Sequence, residues 1–215
     1  CRTCVAVCPA LAHEATGWSM RTEELLAELK KDLPFFEQSG GGVTISGGEP
    51  FCQPEGLTAL LQGCASLGIH RAVDTCGYVP TATLLEIAPH VDLFLYDLKH
   101  MNSARHRQFT GVANETILGN LKALAANDRT IRVRIPLIGG INDDEENIRA
   151  TGIFAASCGG VEGIDILPFH PSATAKYRKL NMPYQGRNFT APSTKKIAGV
   201  ATLLKEYMSD VRIGG

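Results

Sequence analysis

The chain has 215 residues, 44% of them hydrophobic, and 21 Lys or Arg against 22 Asp or Glu give a formal net charge of -1. That size and balance are those of one soluble domain with a substantial core, and they leave no electrostatic footprint for nucleic acid or an anionic membrane. No apolar run approaches the roughly 20 residues needed to span a bilayer and no secretory leader pattern opens the chain, which reads as cytoplasmic with neither nucleic-acid nor membrane partners.

The first residues carry a motif. Cys1, Cys4 and Cys8, followed by Pro9, keep the spacing of the last three cysteines of a ferredoxin run, C-x2-C-x2-C-x3-C-P, and are assigned as iron-sulfur ligands. In that pattern the cysteine before the proline serves a second cluster. Zinc with a fourth ligand from elsewhere, or thiols that hold no metal, are the competing assignments. Seven cysteines, an odd number, fit metal ligation in a reducing compartment better than a disulfide framework, and Cys52, Cys64, Cys76 and Cys158 read as ordinary buried thiols. A chain that begins without methionine and inside a motif reads as part of something longer.

Leucines at 25, 26 and 29 recur at helical spacing and predict a helix over 20–30, with Thr22 as its cap and Pro34 ending it. A β-branched run over 43–46 predicts a strand that breaks at once into Gly47, Gly48, Glu49 and Pro50. Two bare glycines let the backbone approach a ligand closely. A helix follows over 54–67 with Gly68 as its stop, then a strand over 69–74, a helix over 81–88 and a strand over 91–96. Helices over 103–109 and 115–126 lead to a strand over 131–137. A helix opening at Asn142 and running to 157, a strand over 163–167 and a closing helix over 193–208 complete the order. Five strands alternating with helices predict a parallel sheet covered on both faces, an α/β fold that is a barrel or part of one. The stretch 171–192, with Pro171, Pro183 and Pro192, is long enough for a loop to suggest a lid or a docking segment.

Polar residues cluster where the strands end, which in such folds is the ligand side. The backbone at Gly47, Gly48 and Glu49 can accept an ammonium group, while Lys99 and Arg134 can pair a carboxylate. Asp74 and Asp97 would repel one another, which calls for a cation between them. His170 can hydrogen-bond a ribose. Together these groups match a small zwitterion with a sugar attached.

The set Gly47 to Pro50, Asp74 to Gly77, Tyr96 to His100, Arg134 to Gly139 and Leu167 to His170 resembles, in order and spacing, the glycyl-radical enzyme activating family. These are the pyruvate formate-lyase activating enzymes and their relatives within the radical S-adenosylmethionine superfamily. The resemblance implies a partial (β/α) barrel over 20–215 whose first strand lies upstream, preceded over 1–19 by part of a ferredoxin-like iron-sulfur insert. It implies that Gly47, Gly48 and Glu49 meet the amino end of S-adenosylmethionine and that Asp97, Leu98 and Lys99 hold its carboxylate side. Arg134 and His170 are implied to reach the nucleoside, and Asp74 and Asp97 to flank a monovalent cation. The family's C-x3-C-x2-C motif for the catalytic [4Fe-4S] cluster is expected upstream of Cys1, so no catalytic residue is assigned in this chain and by itself it is expected to be inactive. The implied activity is reductive cleavage of S-adenosylmethionine to a 5'-deoxyadenosyl radical that takes hydrogen from a glycine of a partner glycyl-radical enzyme, with flavodoxin or ferredoxin as electron donor. Two rivals stand beside it: an aldolase-like barrel using Lys99 as a Schiff-base nucleophile, and a non-catalytic electron-transfer module.

Overall fold

The computed structural model describes residues 3–10, 12–13, 15 and 17–214. A four-residue helix, α1 (Thr3–Ala6), precedes α2 (Thr22–Leu29), whose start is held by Glu24 reaching back to the Arg21 N–H at 2.9 Å. Thr22 is therefore the first helical residue rather than the cap. Pro34 does not end this region either. A 3₁₀ turn over Lys30–Asp32 runs straight into α3 (Leu33–Ser39), where proline occupies the first turn and its missing N–H costs no hydrogen bond.

Six strands follow in alternation with helices: β1 (Gly42–Ile45), α4 (Pro54–Ser66), β2 (His70–Thr75), α5 (Thr81–Ile87), β3 (Leu93–Asp97), α6 (Ser103–Thr110), α7 (Glu115–Ala126), β4 (Ile131–Leu137), α8 (Glu145–Ala156), β5 (Val161–Pro168), α9 (Thr174–Lys179), α10 (Thr194–Leu204) and β6 (Val211–Ile213). All neighbours pair in parallel, in chain order from β1 to β6. The sixth strand is one more than the pattern predicts. Three residues, mostly exposed, are too short to show an alternation. The stretch 171–192 is likewise not all loop, since it contains α9 and two 3₁₀ turns and is tied back to the sheet by a bridge between Thr190 and Gly139.

The two faces of the sheet differ. Val73, Phe94, Tyr96, Leu98, Ile131, Val133, Ile135, Leu137, Ile164 and Ile166 are buried with the helix side chains in one core. The alternate positions are Asp74, Leu95, Asp97, Arg132, Arg134 and Asp165, joined across the strands by the register Asp97↔Arg134↔Asp165. These central strands are thus apolar on one face and charged on the other, and the expectation of cover on both faces holds for residues 163–166 of β5, which are buried throughout, but not for β3, where Leu93 and Leu95 are only half-buried. On the charged face Arg132, itself mostly buried, lies over Gly163 and pairs with Asp165 and Asp210 at 2.8 Å each.

Buried asparagines hold the strand ends. The Asn142 amide donates to the carbonyls of Lys99 and Pro136, both at 2.8 Å, and its oxygen accepts from the Ile138 N–H. Asn114 donates to the carbonyls of His100 and Met101, Asn147 joins Met101 to Asn142, and Asn120 donates to the carbonyls of Gly77 and Val79. Each satisfies backbone groups that no strand or helix ladder reaches. Gly77, at φ 69°, passes so close over Tyr96 that any Cβ would strike its hydroxyl, which donates to the Ile117 carbonyl at 2.7 Å. Asn142→Ala leaves two carbonyls and one N–H without a partner in a site 2% exposed. It should lower the unfolding free energy by about 2–4 kcal/mol in a urea titration, and a loss under about 0.5 kcal/mol would show that water replaces the amide.

Candidate functional site

The break after β1 is built from its own residues. Gly47 and Gly48 sit at φ 96° and 91°, a region open to glycine, and nothing lies within 4 Å of where a Cβ would stand on either. Glu49, placed next, turns its side chain into the protein. One carboxylate oxygen accepts from the Thr75 hydroxyl at 2.8 Å, and the other from the Cys76 N–H and thiol at 3.0 Å each. The glycine turn is thereby clamped to the end of β2. What faces outward here is backbone, and the carboxylate is spoken for.

From that turn a continuous line of contacts crosses three strand ends. The Ser46 hydroxyl donates to Asp74 at 2.8 Å, Arg134 Nη2 reaches Asp74 at 2.6 Å and Asp97 at 2.9 Å, and Lys99 Nζ reaches the second Asp97 oxygen at 3.2 Å. Arg134 Nε also donates to Asp97 at 3.0 Å. The cation called for between the two aspartates is therefore supplied, in this structure, by the Arg134 guanidinium. Burial pulls the Arg134 pKa down, but the charges and hydrogen bonds of Asp97 and Asp74 outweigh it and hold the group above the usual arginine value. Two carboxylates against one guanidinium and one ammonium leave the cluster electrically balanced. Lys99 is the most exposed of the four, at 36% of its side chain.

The other expected residues fall in different places. Leu98 is buried in the core and its N–H is taken by the Arg134 carbonyl at 2.8 Å, so it offers backbone at most. His170 stands exposed at the same edge, after β5 and before the turn at Pro171. Cys4 is exposed on α1, Cys8 is half-buried after it, and Cys1 lies outside the described residues. Among the described residues no group of three or more His, Cys, Asp or Glu is arranged to hold a metal ion. A cavity of about 670 Å³ lined by His100, Arg105, Asp143 and Asp144 shares no residue with this line of contacts. In it the His100 Nδ1 accepts the Asn102 N–H, and burial lowers the imidazole pKa.

Sequence pattern gives Ser46, Thr75 and Asn142 no role at the site, although Thr75 lies inside the motif Asp74 to Gly77, and of the four cysteines expected to be buried thiols Cys64 and Cys158 are buried whereas Cys76 is half-buried and Cys52, beside the turn at Pro50, is exposed. Burial first, and then the hydrogen bond to Glu49, raise the Cys76 pKa above that of an ordinary thiol. Glu49→Gln removes the negative charge facing that thiol, so thiolate forms at lower pH. The midpoint of the pH profile for iodoacetamide labelling of Cys76, followed by peptide mass spectrometry, should move down, and an unmoved midpoint would break the clamp as described.

A model of the radical SAM superfamily matches residues 7–151. The chain is 40% identical over 202 residues to the choline trimethylamine-lyase activating enzyme of Oleidesulfovibrio alaskensis, covering 93% of this chain and 65% of that one. It is 36% identical over 206 residues to the trans-4-hydroxy-L-proline dehydratase activating enzyme of Clostridioides difficile, covering 95% and 68%. Against the pyruvate formate-lyase-activating enzyme of Clostridium pasteurianum it is 36% identical over 200 residues, covering 93% and 84%. The chain thus spans about two thirds of the length of the first two relatives. A crystal structure of a domain of a pyruvate-formate lyase-activating enzyme from Bacteroides vulgatus superposes with a TM-score of 0.69 at 38% identity, covering 81% of this chain and 99% of that one. Streptococcus suis SuiB, solved bound to S-adenosylmethionine, shares the fold at 14% identity and a TM-score of 0.67, covering 92% and 42%.

Proposed function

The chain belongs to the radical SAM superfamily and, within it, to the activating enzymes of glycyl-radical enzymes, and on that footing we propose that it is the S-adenosylmethionine-binding barrel of such an enzyme. The activity assigned to the whole protein is cleavage of S-adenosylmethionine, by one electron from a [4Fe-4S] cluster, to methionine and a 5'-deoxyadenosyl radical that takes a hydrogen atom from a glycine of a partner glycyl-radical enzyme. Residues 20–215 are the barrel in this reading, and residues 1–19 belong to a ferredoxin-like iron-sulfur insert. A flavodoxin or ferredoxin supplies the electron, and the protein works in the anaerobic cytoplasm; no helix among the described residues is long and apolar enough to cross a membrane.

The observation that carries this reading is the unbroken line from the open glycine turn through Ser46, Asp74, Arg134 and Asp97 to Lys99. It fits a zwitterion. Carbonyls of Gly47 and Gly48 take the methionine ammonium, Lys99 turns from Asp97 to the carboxylate, and His170 hydrogen-bonds the ribose. Arg134 pairs with Asp74 and Asp97 and holds them in place, and a monovalent cation can share the same two carboxylates. The chain's own task is to position the nucleoside at the rim and keep water from it. The iron-sulfur cluster is a different matter: the described residues offer it no ligand set. Their part is the cradle. The Schiff-base and electron-module readings draw no support from the relatives named above.

The full-length protein, reconstituted with iron and sulfide and reduced with dithionite, should release 5'-deoxyadenosine from S-adenosylmethionine. No release, with the cluster verified by absorbance, would overturn the reading. Within it, Lys99→Ala should weaken S-adenosylmethionine binding by about 1.5–3 kcal/mol, or roughly ten- to a hundredfold in Kd by calorimetric titration. Unchanged affinity would mean that the carboxylate end lies elsewhere.

A further inference from the structure

Charge is distributed unevenly along this nearly neutral chain. Residues 166–205 contain seven of the 21 Lys and Arg and none of the 22 Asp and Glu. The first half of that stretch leaves the carboxyl end of β5 at His170, forms α9, and comes back to the sheet where the Gly139 N–H donates to the Thr190 carbonyl at 2.9 Å. It therefore stands on the same rim as the cradle. Within it Tyr177 and Tyr184 pack with ring centroids 4.8 Å apart, and with Arg178, Met182 and Arg187 they line a cleft of about 300 Å³. Arg178 and Arg187 are exposed, as are Leu180 at 41% and Met182 at 54%.

A basic rim is the wrong sign for attracting S-adenosylmethionine, whose sulfonium and ammonium are positive. It is the right sign for an acidic protein surface. Arginine and tyrosine flanked by an exposed methionine is also the side-chain set that protein interfaces favour. The glycine that receives the radical has to enter at this rim, because the cradle is there. From the function proposed above, on which this rests, we infer that the segment 170–192 is the docking face for the glycyl-radical partner. Arg178 and Arg187 there pair an acidic patch beside the partner's glycine loop.

The test uses the full-length enzyme with Arg178→Glu and Arg187→Glu together, and with both changed to Lys. A fluorescein-labelled (Glu-Gly)8 peptide should bind the unaltered enzyme at low salt, bind the Glu pair about tenfold more weakly, and bind the Lys pair nearly as well as the unaltered enzyme. Dithionite-driven release of 5'-deoxyadenosine without a partner should be equal in all three. With choline trimethylamine-lyase or trans-4-hydroxy-L-proline dehydratase as radical acceptor, whichever is activated, KM for the acceptor should rise about tenfold in the Glu pair at unchanged kcat. Equal peptide affinity in the Glu pair overturns the inference, as does binding to phosphatidylserine vesicles with the same charge dependence in place of the peptide. Absence of 5'-deoxyadenosine from the unaltered enzyme would instead sink the function proposed above, and the peptide measurement would still decide whether the patch binds acidic protein.

Discussion

One guanidinium organises the functional edge of this protein. Arg134 rises from the middle of the sheet between two aspartates on strands to one side, and both carboxylates close on it within 3.0 Å. Without it, Asp74 and Asp97 would stand on neighbouring strands as two like charges with nothing between them to offset their repulsion. With it, both side chains are held in place, Asp74 can receive Ser46, and Asp97 can hold Lys99. The order of the rim follows from that arrangement: the glycine turn at one end, the lysine at the other, and a charge-balanced bridge between.

The bridge matters because the sheet is built with two chemistries. Its helix-covered face is a continuous apolar core, which supplies the stability. Its other face carries arginines and aspartates paired across strands, including the deeper group of Arg132, Asp165 and Asp210. Buried ion pairs are costly to desolvate and add little net stability. Their presence on one face, in a fold whose strands are usually apolar on both sides, sets that face apart from the core, and it is the face the proposed function uses. The paired charges also restrain one another, so this face is organised by its own side chains.

Rigidity at the rim comes from groups that are not themselves charged. Glu49 is clamped by Thr75 and Cys76, and four buried asparagines bind the turns after β2, β3 and β4. Loops at a ligand edge are ordinarily the softest part of an α/β fold. Here three of them are tied to their neighbours through side-chain amides whose bonds are made in the core. The basic segment after β5 is held differently, by the Gly139–Thr190 bridge and the edge contact of Phe169 with Phe189, and its arginines and tyrosines line a cleft.

Much of this was legible in the letters. Apolar runs bounded by glycine and proline gave five of the six strands, and the residues at their ends named the rim, because period and turn chemistry act over a few neighbouring residues. The short strand Val211–Ile213 was not legible, since three residues carry no period, and neither was the passage of the chain through Pro34 into a second helix. Nor could the sequence say which way a side chain turns. The Glu49 carboxylate turns to Thr75 and Cys76, the Arg134 guanidinium is held by Asp74 and Asp97, and Asn142, expected only to open a helix, braces Lys99. Each of those outcomes depends on a partner 26 to 60 residues away in the chain. Strand order and register bring such partners within 3 Å, and only the folded sheet sets them.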